Sequence, residues 1–439
     1  MTTYWCERAL VGAGEVVDGL VVETDGVRIA ATSRTPAAPA GAVRLPGLTV
    51  PGFANCHSHA FHRALRGRTQ QASGGSFWSW RDAMYDVAAR LDPDTYYQLA
   101  FAVYAEMALA GITAVGEFHY VHHDPAGGRY ADPNAMGIAV VAAARDAGLR
   151  IALLDTCYLS SGFGAPPLGV QVRFSDGTVG EWAARASALS AGGDVGVVVG
   201  SAIHSVRAVP REDLGVVAGL RPAAPLHVHL SEQVAENEAC LSRHGCTPAR
   251  LLRDSGALDS RTTAVHATHL TGDDIADVGK AGGFVAFCPT TERDLADGVG
   301  PARELAGAGA GLTLGSDSHA MIDICEEMRA VELDTRLVTS RRGTWAGAEL
   351  MAAATETGQR SLGFSDAGRL VAGQWADLVT FALESPRTAG TGGGIDSVVY
   401  AATAADITSV VASGAEVELD RGGIGHRLAA AVAGVTEQP

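Results

Sequence analysis

Positive charge is scarce in this chain: 33 lysines and arginines stand against 49 aspartates and glutamates, a formal net charge of -16 over 439 residues. A surface of that balance repels polyanions, and no extended basic-aromatic strip offsets it. Nucleic acid and anionic membranes are therefore excluded as general partners, while a locally basic pocket is still allowed. Long apolar runs are missing as well. The stretch 195–203, for example, falls far short of the roughly 20 residues that cross a bilayer. Residues 1–15 mix acidic and basic side chains and lack the apolar core of a secretory signal. Cysteine occurs seven times, an odd number without metal-pair spacing. No disulfide framework is expected, and reduced thiols in the cytoplasm are.

What the chain has instead is length for a large core with a smaller companion, and alternation. Residues 1–48 string together short β-prone pieces, 19–23 and 27–32 among them, with turns and the Pro/Ala segment 35–41. Near the other end, 375–381, 395–400 and 407–412 read as strands around a turn-rich loop at 386–394. The two ends, 1–48 and 368–439, are expected to form one small discontinuous β-rich domain beside a catalytic domain at 49–367. Within the latter, strand-like stretches fall at 48–55, 113–118, 150–156, 195–203, 225–229, 262–266, 283–287 and 311–315. Helical stretches at 93–109, 134–147, 179–191, 211–220, 234–243, 248–254 and 301–308 lie between them. This order predicts an α/β fold, a (β/α)8 TIM-like barrel. A doubly wound sheet also fits the alternation, but polar residues after so many strand ends favour the barrel, whose chemistry sits at the C-terminal ends of its strands.

The sharpest local signal is Asn55-Cys56-His57-Ser58-His59. Side chains alternate along an extended segment, so His57 and His59 point to one side and can reach one ion at a barrel mouth. His229, in Leu226-His227-Val228-His229-Leu230-Ser231-Glu232, repeats the design, and Asp317, in Gly315-Ser316-Asp317-Ser318-His319, adds a hard oxygen. Three imidazoles and a carboxylate make a mixed site for which zinc is the default; iron, manganese and cobalt accept overlapping ligands. His227 and His319 share the phase of His229 and Asp317 and compete with them as ligands. An ordinary hydrogen-bonding role is expected of His227, and shaping of the mouth of His319. Glu232 suits a proton carrier that relieves attacking water and then serves a leaving nitrogen. His266, with His269 as the alternative, can orient the water or donate to a developing oxyanion.

Joined by Ala60-Phe61-His62-Arg63, Gly116-Glu117-Phe118-His119-Tyr120, Ile203-His204-Ser205-Val206-Arg207, Val265-His266-Ala267-Thr268-His269-Leu270 and Cys288-Pro289-Thr290-Thr291-Glu292, these motifs resemble the amidohydrolase superfamily over essentially the whole chain. Within it they are similar to the formimidoylglutamate deiminases. The resemblance implies one zinc on His57, His59, His229 and Asp317, and catalysis by Glu232 and His266 with help from Asp317. It implies substrate contacts from Arg81, Tyr120, His204 and Arg207, and a homodimer. The implied reaction turns N-formimino-L-glutamate into N-formyl-L-glutamate and ammonia in histidine degradation. Two guanidinium forks suit a substrate with two carboxylates. His62 departs from the family pattern, which often carries glutamine after His-Ser-His-Ala-Phe. A histidine donates one hydrogen bond when neutral and two when charged, so its contact with substrate is expected to differ from that of an amide.

Deamination of an aromatic base or an adenosine-like compound is the nearest alternative. A metal-stabilised barrel that binds a metabolite without catalysis is the alternative of another class. Trp78 and Trp80 suit a pocket wall, a subunit interface or plain packing.

Overall fold

A computed structural model describes residues 1–12, 14–70, 77–418 and 420–437. Strands among them are β1 (Thr2–Gly12), β2 (Glu15–Asp25), β3 (Arg28–Arg34), β4 (Val43–Pro51), β5 (Phe53–Ser58), β6 (Ile112–His119), β7 (Arg150–Cys157) and β8 (Val197–Ile203). They continue with β9 (Leu226–Leu230), β10 (Thr262–His266), β11 (Phe284–Phe287), β12 (Gly311–Leu314), β13 (Leu378–Phe381), β14 (Ile407–Ala412) and β15 (Ala415–Glu416). β5 to β12 form an eight-stranded sheet in chain order, with all neighbours parallel. The other seven form a mixed sheet in the order β15-β14-β13-β4-β1-β2-β3. The TIM-like barrel and the β-rich companion assembled from both ends of the chain are thus present.

A seam between β12 and β5 brings the eight-stranded sheet round on itself. Ser58 bridges Asp317 in parallel fashion, the Asp317 N–H donates to the His57 carbonyl at 2.9 Å, and the His59 N–H donates to the Asp317 carbonyl at 3.2 Å. The backbone that closes the barrel therefore carries three of the four expected metal ligands. Barrel strands are covered on both faces and so are buried throughout: every residue of β5, β6, β7 and β9 is buried. In β9 the apolar Leu226, Val228 and Leu230 alternate with His227 and His229, dividing the strand between the helical layer and the axis.

Two expectations need correction. The single strand expected at 48–55 is two strands in different sheets, β4 and β5, broken at Gly52. A side chain at that glycine would sit 2.3 Å from Thr113 Oγ1 and 2.7 Å from Asp377 Cβ, so the crossing from sheet to sheet needs a residue without Cβ. The strand expected at 395–400 is a helix, Ile395–Tyr400, which packs on the helices Ile324–Thr339 and Gly347–Ala354. Its apolar run is too short for periodicity to separate helix from strand. Helices at Phe77–Ala88, Gly272–Ala281, Ile324–Thr339, Gly347–Ala354 and Arg421–Thr436 were not anticipated as elements. Among the described residues no helix is long and apolar enough to cross a membrane.

Candidate metal centre

The C-terminal ends of β5, β9, β10 and β12 converge on one point. His57 and His59 come from β5 and its first residue beyond, His229 from β9, His266 closes β10, and Asp317 follows β12. Three of the turns leaving these strands take backbone that side chains seldom adopt: Ser231, His266 and Asp317 have φ of 50°, 66° and 43°. Left-handed backbone at non-glycine residues costs on the order of 1–3 kcal/mol each and persists where surroundings hold it. Here it stops each strand abruptly at the mouth.

His57 Nε2 stands 3.0 Å from His229 Nε2 and 3.3 Å from Asp317 Oδ1, and His59 Nε2 is 3.4 Å from the same oxygen. The far ring nitrogens fix which nitrogen is bare. His59 Nδ1–H donates to the Phe118 carbonyl at 2.9 Å and His229 Nδ1–H to the His204 carbonyl at 3.0 Å, turning two Nε2 lone pairs inward. Burial, then the neighbouring His57, push the His59 imidazole down to about 3, and burial holds His57 and His229 below their usual range too. Asp317 goes the other way: burial would raise it, but the adjacent His57 and the other imidazoles around it outweigh that and keep it ionised. Bare nitrogens packed this closely repel one another unless something positive is shared between them. Ligands about 2.1 Å from a common ion in a tetrahedral array lie roughly 3.4 Å apart, so the donor set fits a divalent cation.

Around the four lie the proton-carrying groups. His266 Nε2 is 3.8 Å from both Glu232 Oε1 and Asp317 Oδ2, and its Nδ1 faces Glu292 Oε1 at 3.3 Å. Burial opposes charge on His266, but Glu232, Glu292 and Asp317 together lift it to about 10. His269, the alternative for this place, is absent from the described lining of the cavity. His319 is engaged elsewhere: Ser316 Oγ lies 2.9 Å from its Nδ1 and Ser58 Oγ 3.2 Å from its Nε2, a clasp across the barrel seam. His227 is fully buried and stands outside the candidate ligand groups; burial, then the neighbouring His57, push its imidazole down to about 3 against a hydrogen bond to the Ser361 backbone.

Above the cluster opens a cavity. Its lining includes every residue expected to meet substrate, namely His62, Arg81, Tyr120, His204 and Arg207, and also Glu232, His266 and Asp317. His62 Nε2 lies 2.9 Å from the Tyr120 hydroxyl, and burial keeps this imidazole neutral. Arg207 faces the buried Glu236 at 3.5 Å. Trp80 is in the wall, whereas the side chain of Trp78 lies outside the described residues.

Supporting residues escaped the sequence reading. Glu117 is buried on β6, where its carboxylate accepts from Ser58 Oγ at 2.6 Å and from the Ala60 N–H at 2.7 Å, gripping both sides of His59. Burial lifts it to about 7 against those hydrogen bonds. The advance signal was its place in Gly116-Glu117-Phe118-His119-Tyr120, a motif that carries the resemblance without giving Glu117 a role.

Residues 48–417 match the family model described as the amidohydrolase family. The chain is 36% identical over 409 residues to formimidoylglutamate deiminase of Pseudomonas aeruginosa, covering 90% of this chain and 89% of that protein. It is 30% identical over 391 residues to 8-oxoguanine deaminase of the same organism, covering 86% and 84%. An amidohydrolase from Brucella melitensis superposes with a TM-score of 0.91 at 31% identity, over 99% of this chain and 100% of that one. A zinc-bound adenosine deaminase from Xanthomonas campestris shares the fold, with a TM-score of 0.85 at 24% identity over 99% and 97%.

Proposed function

The chain belongs to the amidohydrolase family, and from that premise we propose that it hydrolyses N-formimino-L-glutamate to N-formyl-L-glutamate and ammonia, as a zinc enzyme of histidine degradation. That it is a hydrolase of a non-peptide C–N bond follows from the family and from its deiminase relative. The narrower reading rests above all on one observation: two arginines, Arg81 and Arg207, line a cavity whose floor is the histidine and aspartate cluster. A substrate with a carboxylate at each end of a short chain needs two such forks, and a neutral base does not.

His57, His59, His229 and Asp317 would hold the zinc. When bound, a divalent ion there supplies Lewis acidity that makes water a competent nucleophile near neutral pH. Arg81, Arg207, Tyr120 and His204 bind the diacid and turn its formimino carbon toward the floor. Glu232 takes a proton from the attacking water and returns it to the nitrogen that leaves as ammonia. His266 and Asp317 orient the water-derived oxygen while the carbon is tetrahedral. A homodimer in the cytoplasm completes the reading, in keeping with seven free cysteines.

Aromatic walls favour a second reading. Trp80, Tyr85, Tyr158 and Phe174 line the same cavity and could stack on a purine or pyrimidine, the chemistry named for the 8-oxoguanine deaminase relative. Ammonia release from N-formimino-L-glutamate, guanine, cytosine and S-adenosylhomocysteine by metal-loaded protein separates the two. Turnover confined to an aromatic substrate would replace the first reading with the second.

A further inference from the structure

One segment after β11 touches His266 and the residue next to Glu232. Glu292, on the short helix Pro289–Asp294, is 5% exposed; its Oε1 accepts from the Cys288 N–H at 2.8 Å and faces His266 Nδ1 at 3.3 Å. Five residues on, Asp297 is 4% exposed and accepts a hydrogen bond from the side-chain amide of Gln233, the residue next to Glu232. The Asp297 N–H donates to the Glu292 carbonyl at 2.9 Å, and left-handed Ala296, with φ of 59°, allows the reversal that joins them. From outside, the Thr290 N–H and hydroxyl donate to the buried Glu327 at 3.0 and 2.6 Å. The Ser318 N–H donates to Thr291 Oγ1 at 3.1 Å, tying the same segment to the turn that bears Asp317.

We propose that Glu292 and Asp297 are positioning residues: Glu292 fixes the His266 ring, Asp297 fixes the turn that bears Glu232, and the 3.8 Å separation of the two proton-carrying groups is set by this single clamped segment. Neither is among the residues that line the cavity. Each instead restrains a side chain whose misplacement by about 1 Å is enough to lower a rate about 100-fold. Burial, then the neighbouring Glu232, push the Asp297 carboxyl up; asparagine keeps the side-chain oxygen that accepts from Gln233.

The proposal rests on Glu232 and His266 being the proton carriers of the reaction proposed above, and the experiment separates the two. In zinc-loaded enzyme, Glu292→Ala and Asp297→Ala are expected to lower kcat for N-formimino-L-glutamate about 10–100-fold, with KM within about threefold and zinc content unchanged. Asp297→Asn should restore most of the rate. Unchanged kcat in both alanine variants, or kcat and KM falling together with zinc content, overturns the proposal. Should the wild-type protein release no ammonia from the diacid, the substrate reading fails alone. Crystal structures of Glu292→Gln and Asp297→Asn beside the alanine variants then decide positioning. A rotated His266 ring on loss of Glu292 and a shifted Glu232 turn on loss of Asp297 support it, and both groups staying in place overturn it.

Discussion

The two ends of the barrel use buried charge in opposite ways. Where β7 begins, Arg150 is 1% exposed and closed off by the chain itself: Nη1 lies 2.6 Å from Asp377 Oδ2, and Nη2 donates to Gln359 Oε1 at 2.9 Å. Its guanidinium carbon is 4.4 Å from the centre of the Trp375 ring and 5.1 Å from that of Phe364. At the opposite end, imidazoles and carboxylates are turned toward each other, and Arg81 and Arg207 line a cavity. Buried charge must be neutralised by something. At the closed end that something is the chain, and the arginine holds the barrel to the seven-stranded sheet. At the open end Arg207 also faces a buried carboxylate, Glu236 at 3.5 Å, but there the charged groups line a cavity as well, which is what separates a site from a joint.

Removing charge at each end should therefore read out differently. The largest effect belongs to the open end. Glu232→Gln keeps the shape and loses the proton carrier, so turnover should fall about 10²- to 10⁴-fold while the metal content measured by atomic absorption stays near that of the wild type. Turnover at the wild-type rate would remove Glu232 from the chemistry. Arg150→Met tests the closed end. It leaves Asp377 buried without its cation, for a loss of about 3–5 kcal/mol in unfolding free energy, followed by urea denaturation. The folded fraction should retain its KM, and a variant of normal stability with altered KM would erase the contrast between the two ends.

How much of this could be read from residues alone differs between the ends for the same physical reason. His57 and His59 are two residues apart on one strand, so local geometry suffices to join them. His229 lies near the end of one short strand and Asp317 just after another, and eight such strands in order imply a common mouth. Partnerships between distant residues leave no such trace. Glu117 accepts from Ser58, 59 residues away, Arg150 meets Gln359 across 209, and nothing near either residue names its partner. The helix Ile324–Thr339 was overlooked because its buried face includes Glu327 and Glu332, which break the apolar stripe that marks an amphipathic helix. Pro51-Gly52 is a turn signal inside what reads as one apolar run, and it marks the change of sheet, but nothing beside it names Thr113 and Asp377 as the groups lying across from it.

Arg207→Met comes next in size. A hydrogen bond to a charged group contributes about 1.5–3 kcal/mol, so KM for the diacid should rise about 10- to 100-fold with kcat changed far less. The adjacent Glu236 complicates the sign of any other outcome. It is buried, faces Arg207 at 3.5 Å, and is pushed up by burial against the pull of that arginine. Losing the guanidinium leaves Glu236 free to take up a proton, which limits the repulsion a substrate carboxylate would feel. Steady-state rates at saturating and limiting substrate distinguish this from a catalytic role, in which kcat falls and KM holds.

The smallest effect is expected at His62, the position where this chain departs from the family pattern. Its imidazole is neutral, hydrogen-bonded to Tyr120, and packed 4.5 Å centre to centre from the His59 ring and 5.1 Å from the Trp80 ring. A glutamine can reach the same hydroxyl through its amide but loses the aromatic contacts, worth about 0.5–1.5 kcal/mol. His62→Gln should accordingly shift kcat/KM by no more than about tenfold, through KM. Such a result makes His62 a wall of the open end, interchangeable with an amide. A loss beyond about 100-fold confined to kcat would instead place His62 among the groups that handle protons, and the boundary between the cavity wall and the catalytic floor would have to be redrawn around it.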